Sequence, residues 1–289
     1  MFGGLASLTA FLADKPPDDR TKAIAGGRME TRLIGMAARF AGAGFSVVSW
    51  SQAAPLGPVA SAVAELIEVI TRVTERLPGR PIWLVAHSRG GLIARSFLQT
   101  QRQPAELAGC ITLGTPHHGT ELASLSRYLQ PVGVFLRKVF KAPVYKSKIA
   151  VALQRVGNFL SSKAIVELKP GSELIASLDK PVPPQLPLFS CGGTNPGLFT
   201  LYLRTDDTWR RLVFPDFLLR LIPDRKIPPE LQTGMGDGLV SAASSKLEKE
   251  EHRDFEVNHV QLAFDPRVYR WLEGILLRGI GKCRTPSCG

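Results

Sequence analysis

Two things are scarce in this chain of 289 residues: cysteine, of which there are four, and long apolar runs free of turn formers. Four cysteines exclude a scaffold held together by disulfides. Cys110 and Cys191 sit in apolar runs that read as strands. Cys283 and Cys288 lie in a polar tail, where an oxidising compartment would bridge them and a reducing one would leave free thiols. The uncharged run Ala41 to Ala64 contains Gly42, Gly44, Pro55, Gly57 and Pro58 as well as Ser51 and Gln52, so it does not read as a membrane span. The short apolar run Leu5 to Ala13 has no positive charge before it and no small-residue cleavage site, so no clear secretory signal is read and the compartment stays open, cytoplasmic or secreted.

Hydrophobic residues make up 44% and charged residues 21%, enough apolar material for a large core and too little charge for a disordered chain. The length suits one α/β domain with an inserted segment. Lysine and arginine number 36 against 25 aspartates and glutamates, a net +11 that favours anionic partners. Recognisable nucleic-acid-binding motifs are absent, so lipid surfaces and ester substrates are preferred over nucleic acid.

Apolar spacing at Val59, Val63, Leu66, Ile67, Ile70, Val73 and Leu77 predicts a helix stopped by Pro78 and Gly79. Ile82 to Ala86 follows as a strand of the kind buried on both faces of a parallel sheet. His87 to Gly91 then makes a turn, and Leu92 to Gln101 resumes helical spacing. Phe45 to Trp50, Cys110 to Leu113 and Leu186 to Gly192 read as further strands. Asp265-Pro266 opens a closing helix with Val268, Trp271, Leu272 and Ile275 on its buried face. Helices alternating with short buried strands imply a mainly parallel sheet covered on both sides.

The segment from Thr120 to Pro187 differs in character. Between Leu122 and Val166 there is no acidic residue, yet Arg127, Arg137, Lys138, Lys141, Lys146, Lys148, Arg155 and Lys163 supply eight positive charges. Helical spacing of Val132, Phe135, Leu136 and Val139, and again of Ile149, Leu153, Val156 and Leu160, predicts two basic amphipathic helices separated by Pro143. The domain expectation is therefore a core of residues 1–120 and 186–289 with a basic helical lid at 121–185. A second apolar cluster, Val213 to Ile222, could cap the same pocket.

Ala86-His87-Ser88-Arg89-Gly90 stands between strand and helix, where a nucleophile elbow of the type G-x-S-x-G belongs. The tight turn needs small neighbours, a requirement alanine meets in place of the first glycine, while Gly90 and Gly91 allow the helix to approach. The plain alternative is a serine that merely caps the helix. A nucleophilic serine needs a histidine base and an orienting carboxylate. Among five histidines, His259 comes late in the chain, as the order serine, acid, histidine requires. Asp237, in Gly236-Asp237-Gly238-Leu239-Val240, is preferred as the acid over Asp254 and Glu256. It could also be an ordinary Asp-Gly turn.

The ordered set Ala86-His87-Ser88-Arg89-Gly90-Gly91, Leu113-Gly114-Thr115-Pro116-His117-His118-Gly119-Thr120, Leu168-Lys169-Pro170-Gly171-Ser172-Glu173-Leu174, Phe189-Ser190-Cys191-Gly192-Gly193-Thr194, Asp237-Gly238-Leu239-Val240 and Asn258-His259 resembles the motifs of α/β-hydrolase lipases and esterases, most of all bacterial triacylglycerol lipases. The resemblance runs from about Phe45 to Leu277. It implies an α/β-hydrolase fold with an inserted helical lid and a serine hydrolase acting on lipid-like carboxylic esters, with Ser88 as nucleophile, Asp237 as acid and His259 as base. A phospholipase or acyltransferase with the same triad, or a non-catalytic module holding anionic lipid, are the alternatives. No cofactor is implied. Many such lipases place a calcium-binding aspartate two residues after the histidine, and here Gln261 stands there, so no such metal site is expected.

The resemblance also implies an oxyanion hole formed by the Arg89 N–H and by a residue following a central strand that ends in His-Gly. This sequence opens Met1-Phe2-Gly3-Gly4, where Phe2 is the best match for the second donor. The expectation is that a strand upstream of Met1 has been lost or replaced by another segment, and that a chain lacking it is a poor enzyme.

Overall fold

A computed structural model describes residues 35–100, 103–124, 163–179, 186–205, 208–214, 227–247 and 251–282. Its elements in chain order are α1 (Met36–Gly42), α2 (Val59–Arg76), β1 (Ile82–His87), α3 (Arg89–Thr100), β2 (Leu107–Leu113), α4 (Lys163–Val166), α5 (Glu173–Leu178), β3 (Leu188–Gly193), β4 (Phe199–Thr205), β5 (Thr208–Phe214), α6 (Ala242–Ser245), β6 (Glu251–Phe255) and α7 (Pro266–Lys282).

Strands β1, β2, β3 and β6 form a parallel sheet in that order, with Ala86 level with Thr112, Thr112 with Ser190, and Ser190 with His252. Helices cover both faces, as the alternation of helix and buried strand predicts. On one face α2 buries Val59, Ala62, Val63, Leu66 and Ile70 against Ile93, Ala94, Phe97 and Leu98 of α3. On the other, α7 buries Val268, Leu272, Ile275 and Leu276 against Ile111, Leu113 and Cys191. Burial pushes the Cys110 thiol up to about 12 and raises that of Cys191, so both are inert packing residues.

Residues 163–179, which the sequence assigns to the insertion, pack on α3: Leu92 shares a cluster with Ile165, Leu168, Ile175 and Leu178. Arg95 and Gln99 of α3 donate to the Leu178 carbonyl at the end of α5. The predicted helices around Val132 to Val139 and Ile149 to Leu160 lie outside the described residues, as do Phe2, Cys283, Cys288 and most of Val213 to Ile222.

One expectation is corrected. Phe45 to Trp50 is not a strand: it pairs with none of the described strands, and its consecutive residues Val47 and Val48 are 41% and 57% exposed. Phe45 and Trp50 are the residues that bind the segment to the core, Phe45 edge-on to Phe40 and Trp50 against the α2–α3 cluster. An apolar run reports burial propensity, but a strand also needs a neighbour to complete its ladder. Two further elements escaped the periodicity. The hairpin β4–β5 pairs Phe199 with Phe214 through Thr205 with Thr208 in an antiparallel ladder. Strand β6 reads Glu-His-Arg-Asp-Phe and carries almost no apolar signal.

Candidate active site

The turn from β1 into α3 sets Ser88 apart. It has φ 57°, the one non-glycine residue with positive φ among the described residues, a conformation that costs on the order of 1–3 kcal/mol. Three hydrogen bonds hold it there: Ser88 N–H donates to Leu113 O (2.8 Å), and Ser88 O accepts Gly91 N–H and Thr115 Oγ1–H (2.9 Å each). The two glycines after it differ in need. A Cβ on Gly91 would lie 1.9 Å from Thr115 Oγ1, whereas one on Gly90 would meet only Ala86 Cβ at 3.9 Å.

Asp237 and His259 come from the chain that follows β5 and β6. Asp237 Oδ1 accepts Leu239 N–H (3.0 Å) and Val240 N–H (2.7 Å). Asp237 Oδ2 accepts His259 Nδ1–H at 2.8 Å, and a main-chain bond from His259 N–H to Asp237 O (2.9 Å) runs parallel to it. Both side chains are buried, so the pair is shielded from water. Gly114, with φ +53°, passes beside them. A Cβ there would stand 3.1 Å from Asp237 Oδ2 and 3.2 Å from His259 Nδ1. His259 Nε2 is buried and has no hydrogen-bond partner among the described residues, so Ser88 Oγ is not hydrogen-bonded to it in this structure.

The remaining histidines are otherwise engaged. His87, beside Ser88, turns its Nε2 to the His259 carbonyl (2.9 Å), with the two rings 4.7 Å apart. Burial, and next the neighbouring His259 ring, lower its pKa to about 3, so it stays neutral at working pH. His117 is buried with Nε2 3.0 Å from Thr112 Oγ1, and burial holds it well below its ordinary value. His118 is exposed. His252 lies between Ser190 Oγ (2.8 Å from Nδ1) and Asp254 Oδ1 (3.0 Å from Nε2). This second Ser-His-Asp chain cannot accept a substrate, because Ser190 is completely buried. It also gives Asp254 a partner away from His259. Glu256 is exposed.

Two connections were invisible in the sequence. The Arg89 guanidinium, one residue past Ser88, donates to Pro55 O, Gly57 O and Gln52 Oε1 and lies 3.6 Å from the Glu167 carboxylate. Glu167 also accepts Val59 N–H (3.0 Å), capping α2 where Pro58 offers no side-chain cap. The Ser88 turn, the start of α2 and the turn that follows α4 thus share one ion pair. The other is Glu230, a lone acid after two prolines. It is buried against Thr120 and Glu121, and its carbonyl accepts Gly238 N–H (2.9 Å) beside Asp237. Gln261, two residues past His259, exchanges side-chain bonds with Asn258: Gln261 Oε1 accepts Asn258 N–H (3.0 Å) and Gln261 N–H donates to Asn258 Oδ1 (2.9 Å). Among the described residues no helix is long and apolar enough to cross a membrane.

A family model described as alpha/beta hydrolase fold matches residues 40–226, more than half of the chain. No curated protein sequence matches. Among solved structures the chain is similar to the mature form of a lipase from Bacillus licheniformis (19% identity, TM-score 0.45, covering 75% of this chain and 72% of that one). It is also similar to a metagenomic carboxyl esterase (17%, 0.47, 78% and 63%) and to the lipase of Staphylococcus hyicus (13%, 0.42, 72% and 72%).

Proposed function

The chain belongs to the α/β-hydrolase fold family, and from that premise we propose that it is a serine hydrolase cleaving carboxylic esters of lipid-like substrates through an acyl-enzyme. The observation that carries the reading is His259, with Nδ1 tied to a buried carboxylate and Nε2 buried and unpaired, at the end of the sheet where Ser88 occupies a strained turn. Asp237 fixes the tautomer that leaves Nε2 able to accept a proton.

Ser88 Oγ attacks the ester carbonyl carbon and its proton passes to His259 Nε2. The carbonyl oxygen becomes an oxyanion that accepts the Arg89 N–H, and Asp237 Oδ2 stabilises the imidazolium. The C–O bond to the alcohol breaks as His259 returns the proton to the leaving oxygen. Water then gives a proton to His259 and its oxygen to the acyl carbon, releasing the acid and restoring Ser88. Apo hydrolases often tighten the serine–histidine contact only around substrate, so an unmade bond is compatible with these roles. The acid-free, eight-charge segment 122–166 supports peripheral contact with an anionic lipid surface. Turnover of short- and long-chain p-nitrophenyl esters by the protein and by Ser88→Ala tests the reading. Turnover by Ser88→Ala equal to that of the parent protein would overturn it.

A further inference from the structure

Glu230 lies in the 3-10 turn Pro229–Leu231 and is 1% exposed. Its Oε1 accepts Glu121 N–H (2.8 Å) and stands 3.0 Å from Thr120 Oγ1, while Oε2 is buried without a hydrogen-bond partner among the described residues. Thr120 Oγ1 also lies 2.8 Å from Leu239 O and accepts Leu122 N–H at 3.3 Å. Leu239 is one of the two residues whose N–H groups hold Asp237 Oδ1. The Thr120 hydroxyl therefore sits between Glu230 and the turn that carries the triad acid.

A hydroxyl has one hydrogen and two lone pairs. Leu122 N–H takes one lone pair. Leu239 O is only an acceptor and, at 2.8 Å against 3.0 Å for Glu230 Oε1, is the nearer claimant on the hydrogen. The remaining lone pair faces Glu230 Oε1, and that contact is a hydrogen bond only if Glu230 supplies a proton. An ionised Glu230 would set lone pair against lone pair or draw the hydrogen away from Leu239 O. Its surroundings favour the neutral acid, because a bare carboxylate oxygen in a buried site is costly. Burial, together with the nearby Glu121 carboxylate, raises its pKa above the usual carboxylate range, outweighing its own main-chain N–H, the Glu121 N–H and the Thr120 hydroxyl. Besides Glu230, the titratable residues lining the adjoining cavity among the described residues are His118 and Glu121, with no lysine or arginine among them.

We propose that Glu230 is a positioning residue for the triad acid and works in its protonated form, with the Thr120 hydroxyl relaying its state to the Asp237 turn. When Glu230 releases its proton to solvent, the Thr120 hydrogen swings to the carboxylate, Leu239 O loses its donor and the turn around Asp237 loosens. The role rests on Asp237 being the triad acid. Stability tied to this proton is present below the ordinary carboxylate range and is lost as pH rises through the raised value.

The test follows p-nitrophenyl ester turnover and melting temperature from about pH 5 to pH 9 in the parent protein, Glu230→Gln and Thr120→Val. In the parent, kcat falls with rising pH at unchanged KM, and the melting temperature falls over the same range. Glu230→Gln has no proton to lose, so its descending limb is absent from both curves whatever its plateau. Thr120→Val has no hydroxyl to relay the change, so its kcat is low and loses the descending limb, while its melting-temperature limb moves to higher pH because the carboxylate has lost a donor. If Glu230→Gln does not fold, these two Thr120→Val curves decide. Descending limbs identical to the parent's in the variants that fold overturn the proposal. If Ser88→Ala hydrolyses esters as well as the parent, the hydrolase reading fails by itself, and the melting curves still report whether Glu230 holds the proton.

Discussion

Replacing Asp237 by asparagine separates its two duties. The asparagine Oδ1 still accepts Leu239 and Val240 N–H, so the turn keeps both bonds. In place of Oδ2, however, an amide N–H now faces His259 Nδ1 across 2.8 Å. Two donors cannot share that contact, so the ring moves its hydrogen to Nε2 and becomes an acceptor at Nδ1. All three contacts then survive, and the folding free energy should change by no more than about 1 kcal/mol. A ring protonated at Nε2 cannot take the Ser88 proton, and the same tautomer error elsewhere costs about 10⁴ in kcat, equivalent to about 5 kcal/mol of barrier. Asp237→Ala behaves differently. It strips an acceptor from three donors at once and should cost on the order of 1–3 kcal/mol of stability for each donor left buried and unpaired. Steady-state hydrolysis of a soluble p-nitrophenyl ester, with urea denaturation of the same preparations, measures both quantities. An Asp237→Asn enzyme within tenfold of the parent, beside an inactive Asp254→Asn or Glu256→Gln, would refute the assignment of the acid.

Ser88→Ala and His259→Ala should each lose about 10⁶ in kcat, the scale seen when such residues are removed from other triads, with circular dichroism unchanged. Gly91→Ala should destabilise by about 1–3 kcal/mol in urea titration, because its Cβ would press on Thr115 Oγ1, Cγ2 and Cβ together and no rotamer clears all three. Cosedimentation with anionic vesicles should weaken as salt rises, and binding as slight to anionic as to neutral vesicles would remove the interfacial role of segment 122–166.

Sequence legibility followed the source of each residue's environment. Helix α2, the strand–turn–helix around Ser88 and helix α7 were readable because local spacing fixes which face is buried. The pairing of Asp237 with His259 could be expected only from the order of motifs, since two loops distant in the chain create it. Arg89 and Glu230 were not readable as structural hubs. Their partners, Gly57 O and Thr120 among them, are far in sequence, and a buried charge has the same letter as an exposed one. Phe45 to Trp50 misled in the opposite sense, since its valines have strand propensity but pair with none of the described strands.

Strand β6 ends the described sheet, and the residues that hide it from periodicity have a consequence for the protein in concentrated solution. A terminal strand presents unpaired amides and carbonyls to any passing chain, and a flat apolar one templates further strands. Here Glu251, Arg253 and Asp254 stand exposed along that rim, with Arg278 of α7 3.7 Å from Glu251. A second molecule adding in register would have to strip water from charges of both signs to reach the ladder. Neutral β-branched residues at these positions would remove the Glu251–Arg278 and Asp254–His252 contacts, keep the main-chain ladder to β3, and turn the rim into a nucleus for aggregation.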